Sequence, residues 1–288
     1  MLTKRLRRNS ASIQAGLVIA SLAASLAVIP TSNASSRPVQ PRANSAPVVR
    51  AKQEPTAARP QAAVLGEARR QLSSGDEETR FQAVLTLSSL QLAEAAPLLQ
   101  SALNDSSPKI RAAALEGLAF LRDPVVVSVA ATWLKTSKDV FVRKTAMYAL
   151  GELGSPAGTP ILAAALRDKN VEVRGAAAVA LTLFRDPAAV PALMRALDDG
   201  SGFVRAESAL ALGTNAGSAA AAGPRLIKLL DMDPVAAVKR QAAATLGLLG
   251  DPAALPSLER ARQSQDPYLS EDAISAINKI HEKSRDQR

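Results

Sequence analysis

The chain has 288 residues, of which 47% are hydrophobic but only 3% aromatic, and it contains no cysteine. Structural disulfides, cysteine nucleophiles, thiolate metal sites and a lipidated cysteine are thereby excluded. Alanine supplies much of the apolar count, which favours tightly packed helices over a β-sandwich. A formal net charge of +9 would suit a nucleic-acid binder, but the charge is concentrated at one end. Residues 1–34 carry +4 and residues 35–63 another +4, leaving +1 for residues 64–288. Nucleic acid is therefore disfavoured as a partner.

Residues 1–34 read as a secretory signal. Lys4, Arg5, Arg7 and Arg8 form a positive start, Ile13 to Ile29 carry no charge, and Ser32 and Ala34 are small. This pattern predicts cleavage after Ala34 and an exported, periplasmic or secreted protein. The alternative is an uncleaved anchor through residues 13–29, short for a bilayer span, and the only route by which a membrane enters the reading. Residues 35–62 hold Pro38, Pro41, Pro47, Pro55 and Pro60 without apolar periodicity. Such a segment cannot bury enough surface to offset its conformational entropy, so a disordered basic linker is expected.

From residue 63 to 283 the chain repeats itself, and residues 284–288 read as a polar tail. Arg80, Arg111, Arg143, Arg174, Arg205, Lys239 and Ser270 open seven copies, spaced 31, 32, 31, 31, 34 and 31 residues apart. Counting from each of these, alanine stands at +3 and a large apolar residue at +7 and +10, and Ile110, Val142, Val173, Val204 and Val238 supply −1, as in Val142, Ala146, Leu150 and Leu153. This spacing is the buried stripe of an amphipathic helix. A fixed period of this size is the signature of a solenoid. Ser208 and Asn215 depart from the stripe in the fifth copy.

A second helix precedes each of these. Asp123-Pro124, Ser155-Pro156, Asp186-Pro187 and Asp251-Pro252 place a capping residue before proline at a helix start. Gly151, Gly154, Gly213, Gly247 and Gly250 are expected to punctuate helix ends. Pro97, Pro160, Pro191 and Pro256 recur 14 residues before the repeat's first residue, with Pro224 at 15 and Val129 in place of proline. A bend inside each first helix is expected there. The alanine- and glycine-rich stretch Gly217 to Gly223 is expected to lengthen a turn.

Asp139 to Gly154 resembles the second helix of a short HEAT repeat, and Asp251 to Leu258 the first. The resemblance, to repeats of about 31 residues of the bilin-lyase-like type, covers about residues 63–282. It implies an all-α, right-handed α-solenoid of about seven antiparallel helix pairs with the second helices on its concave side. It also implies a structural role for Arg111, Arg143, Arg174 and Arg205, paired with acids such as Asp105, Asp139, Asp168 and Asp198 in the turns between helices.

Catalysis finds little support in the residues. His281 is the single histidine, so the several His-Glu pairs that hold iron in HEAT enzymes resembling deoxyhypusine hydroxylase are not available. No metal, cofactor or catalytic residue is assigned. A pigment- or small-ligand-handling protein of the lyase-like group remains an alternative, as does a membrane-anchored assembly factor. Positions +1, +2, +5 and +9 of the second helices lie off the buried stripe. They supply the candidate partner-binding residues Phe81, Gln82, Glu116, Phe120, Lys144, Tyr148, Glu152, Glu207, Arg240 and Gln241. Aromatic anchors are effective in protein recognition. The resulting expectation is a monomeric exported scaffold that binds a protein or peptide partner through its concave face, with no catalysis.

Overall fold

The computed structural model describes residues 58–215 and 219–286. The signal segment, its cleavage point and most of the linker lie outside them. The described residues form fourteen α-helices and no strand. The first helices of the pairs are α1 (Ala58–Leu72), α3 (Ala96–Ala102), α5 (Val125–Thr136), α7 (Thr159–Ala165), α9 (Val190–Ala196), α11 (Ala219–Met232) and α13 (Leu255–Arg262). The second helices are α2 (Glu77–Leu90), α4 (Pro108–Phe120), α6 (Val140–Leu153), α8 (Val171–Phe184), α10 (Gly202–Thr214), α12 (Ala236–Leu249) and α14 (Pro267–Asp286). Each second helix packs on its own first helix and on the second helix of the next pair. The architecture is an α-solenoid of seven helix pairs. Helix α1 begins at Ala58, inside the expected linker, and α14 runs on to Asp286, into the expected tail.

The stripe fills the core as its spacing dictates. At −1, Ile110, Val142, Val173, Val204 and Val238 are buried; at +3 and +7 every residue from Ala83 and Leu87 to Ala273 and Ile277 is buried. Alanine at +3 is the reason the two layers approach closely, since a larger side chain would overfill a packed interior. Asn215, at +10 of the fifth copy, ends α10 in an extended conformation and turns its side-chain amide onto the carbonyl of Ala211 at 2.6 Å.

Three expectations need correction. The recurrent prolines do not bend a helix from within. Pro97, Pro160, Pro191 and Pro256 are the second residues of α3, α7, α9 and α13, each entered through a single 3-10 turn. Proline costs nothing in a helix's first turn, where its missing N–H has no partner to lose. Where Val129 stands instead, α5 runs unbroken through 12 residues. Secondly, Ala219 to Gly223 are helical and extend α11 to 14 residues, twice the length of α3, α7 or α9. Among the described residues only Pro224 lies well inside a helix. Thirdly, of the expected punctuating glycines, Gly154 and Gly250 do end helices, with φ of 64° and 75°. Gly151, Gly213 and Gly247 instead lie within helices, against the next second helix. A Cβ on Gly247 would stand 2.6 Å from the Cα of Ala276, so hydrogen there sets how closely α12 and α14 approach.

Candidate binding face

The face of the second-helix layer away from the core is built from three columns: −2, +5 and +9. Leu85, Tyr148 and the partly buried Glu116, Val179 and Leu210 stand at +5; Phe120, Leu183 and Leu248 at +9; Phe141, Phe203 and Tyr268 at −2. Leu183 and Tyr268 are each 64% exposed, Phe203 54% and Tyr148 43%. Positions +1 and +2 are more enclosed than expected, because the neighbouring helix covers them. Ala112, Thr145, Gly175 and Ala176 are buried.

Residues at −2 sit on +1 of the preceding pair, and the contacts are chemically matched. The Lys109 ammonium lies 3.6 Å from the centroid of the Phe81 ring. Lys144 Nζ is 2.8 Å from Glu172 Oε2. The Phe203 ring covers Gly175, whose added Cβ would meet it at 2.4 Å. Arg240 lies over the Tyr268 ring at 5.4 Å. Phe81, Lys144 and Arg240 are thus engaged within the layer. Gln82 donates to Glu78 at 2.7 Å, and Gln241 to Thr245 at 3.4 Å. Phe120 and Tyr148 remain open. Sequence reading missed Phe141, Phe203 and Tyr268, since they precede the residue from which each copy was counted. An aromatic two residues after an Asp or Ser at the helix start (Asp139, Ser201 and Asp266) was their signal.

Between α6, α8 and the start of α10 lies a pocket of ≈ 290 Å³, lined by Lys144, Tyr148, Val171, Glu172, Ser201 and Phe203. Glu207 follows Phe203 by one helical turn, on the same face. It is partly buried without a hydrogen bond or ion pair among the described residues, and burial pushes its carboxyl up. Burial likewise pushes Glu116 up, to about 7. The Tyr148 phenol is raised by burial; Lys144 opposes this, and the charges of Glu207 and Glu172 add to it. Glu152 is exposed, with no ion pair among the described residues.

The repeated arginines are engaged at the edge of the layer. Arg143 Nε and Nη2 donate to both oxygens of Asp168 at 2.9 and 3.0 Å, while Nη1 reaches the carbonyls of Ser137 and Lys138. Arg80–Asp105, Arg174–Asp199 and Arg205–Asp233 repeat this fork. Each aspartate also accepts from the backbone amide two residues on, at the start of the next second helix. The fork therefore ties one pair to the next. Two expected partners are different. Asp139 caps α6 by accepting from Phe141 N, and Asp198 meets Arg225, leaving Asp199 to Arg174. Asp105 pairs with Arg80; among the described residues Arg111 takes only the carbonyls of Asp105 and Ser106. Asp105 is held below the usual carboxylate range by the Arg80 hydrogen bond. In Asp168, Asp199 and Asp233 burial pulls upward, but arginine and backbone hydrogen bonds outweigh it.

Compared with known families, the chain matches the HEAT repeats three times, over residues 97–181, 159–236 and 204–278. It belongs to the HEAT-repeat family. No curated protein sequence matches this HEAT-repeat chain. Among solved structures it is similar to a Kap121p mutant, with TM-score 0.57 and 17% identity over 80% of this chain and 31% of that one. It is also similar to Escherichia coli YibA, with TM-score 0.50 and 19% identity over 81% and 99%. Human deoxyhypusine hydroxylase follows at TM-score 0.38 and 22% identity over 80% and 92%. At these identities the likeness to Kap121p and YibA is one of fold.

Proposed function

We propose that this HEAT-repeat protein is an exported scaffold that binds a protein or peptide partner through the open face of its second helices and performs no catalysis. The observation that carries this reading is where the exposed large apolar side chains lie. Leu85, Phe120, Phe141, Tyr148, Val171, Leu183, Phe203, Leu248 and Tyr268 are all on that side of the second helices, against Val64, Met232 and Val235 elsewhere and Ile274 on the outer side of the last helix, α14. Apolar surface gathered on one face marks an interaction site. The basic, apolar leader supports export, and no helix of the described residues is long and apolar enough to cross a membrane.

The test uses the full chain produced in its own cell and crosslinked there, beside a Phe120→Ala/Tyr148→Ala variant. The expected result is one dominant adduct in the exported fraction that the variant loses while keeping its helical circular dichroism. An adduct unchanged in the variant, or a chain found wholly in the cytoplasm, overturns the reading.

A further inference from the structure

We infer that the pocket between Tyr148 and Phe203 receives an arginine side chain from an extended basic and apolar peptide, with its guanidinium directed to Glu207, which stands just outside the pocket lining, one helical turn from Phe203. This rests on the reading of the face as a binding surface and specifies its partner. Three features carry it. The Tyr148 and Phe203 rings and Val171 form the apolar part of its wall, around a volume of ≈ 290 Å³, and Ser201 and the mutually neutralised Lys144–Glu172 pair complete it. The Phe203 ring is held in place from behind, since it covers Gly175 and no side chain there pushes it aside. A planar guanidinium stacks well on such rings.

The charge is the second feature. The lysines on this stretch of the face are matched within it, Lys109 with Glu78 and Lys144 with Glu172. Glu116, Glu152 and Glu207 have no cationic partner among the described residues. A partly buried carboxylate without a partner is costly, and a cation brought by a ligand relieves that cost. Charge complementarity therefore favours a basic occupant over an acidic or neutral one.

Spacing is the third. Glu116 on α4 and Glu207 on α10 are three helix positions apart, about 25–30 Å at ordinary helix spacing. An extended peptide covers that in roughly eight residues. Its two ends would meet carboxylates while its middle crosses Tyr148, Val179 and Leu183.

The test is fluorescence anisotropy on the full chain with a labelled ten-residue peptide of alternating arginine and leucine. A peptide with glutamate in place of arginine serves as comparison. The basic peptide is expected to bind and the acidic one not. Glu207→Gln and Tyr148→Ala should each weaken binding about tenfold or more, whereas Glu94→Gln, an exposed acid on the first-helix layer, should leave it unchanged. Equal weakening by Glu94→Gln would show unspecific attraction and overturn the proposal. So would binding indifferent to Glu207→Gln and Tyr148→Ala. If an Arg37→Ser/Arg42→Ser/Arg50→Ser variant bound the probe far more tightly, the chain's own basic segment would be the occupant. If the probe dispersed a concentration-dependent dimer, a second copy would be. Either result overturns an external partner. Should the basic peptide fail while the crosslinked adduct still depends on Phe120 and Tyr148, the arginine assignment falls and the scaffold reading stands.

Discussion

At Ser208 a hydroxyl occupies a place built for a methyl group. Every other +3 position holds alanine, and Ser208 is fully buried with its Oγ without a hydrogen-bond partner among the described residues. A buried donor left unmade costs about 1 kcal/mol or more. Ser208→Ala removes that cost without adding volume. The expected outcome is a gain of ~1 kcal/mol, seen as a rise of a few degrees in the thermal midpoint. A midpoint unchanged or lowered would mean that the hydroxyl has a use. Ser208 was legible as an exception in the stripe. Its lack of a partner was not, because that depends on what surrounds it in three dimensions.

Within the elements, the arginine forks follow a register with one gap. Six residues before each repeat's first residue stand Ser74, Asp105, Ser137, Asp168, Asp199, Asp233 and Ser264. Wherever aspartate occupies this place, the arginine of the preceding pair forks onto it. At Ser137 it does not, and Arg111 keeps only its carbonyl contacts. Ser137 still closes the local turn, its hydroxyl accepting from Asp139 N at 3.2 Å. Ser137→Asp should therefore complete the fork and stabilise by ~1 kcal/mol, the scale of a bidentate, partly shielded pair. In an Arg111→Ala background most of the gain should vanish. A gain that persists there would trace to helix capping alone.

Across the whole molecule the two kinds of acid pull the pH dependence in opposite directions. Asp105, Asp168, Asp199 and Asp233 have lowered values in the fold. Their stabilisation is present above about pH 4, the unfolded value, and is lost as pH falls through the lower folded values. Glu116 is raised to about 7, and Glu207 is raised as well. The stability tied to their protonated forms is present below about pH 4 and is lost as pH rises, through about 7 for Glu116. Thermal midpoints should therefore peak in mildly acidic solution and fall on both sides. Glu116→Gln should flatten the fall between pH 5 and 8, a difference of order 1–3 kcal/mol, and leave the acid limb intact. Because a solenoid is held by nearest-neighbour interfaces, loss of the forks should loosen the array pair by pair.

The sequence by itself determined the local and periodic features: seven copies, the buried stripe, the Asp-Pro starts, the alanines that let two layers close, and the amphipathic second helices. These follow from contacts within a few residues, where spacing alone assigns a side chain to a face. Tertiary structure decided what spacing within one copy does not constrain. Asp199 rather than Asp198 meets Arg174, Phe203 rests on Gly175, and Lys144 turns to Glu172 rather than to a ligand. Each joins neighbouring pairs across 25 to 28 residues, so the answer depends on how one helix is set against the next. The same holds for Gly151 and Gly247, which resemble helix ends in the chain but lie at the closest approach between helices. The pocket beside Tyr148 was legible in only one wall, since its other walls come from two further repeats.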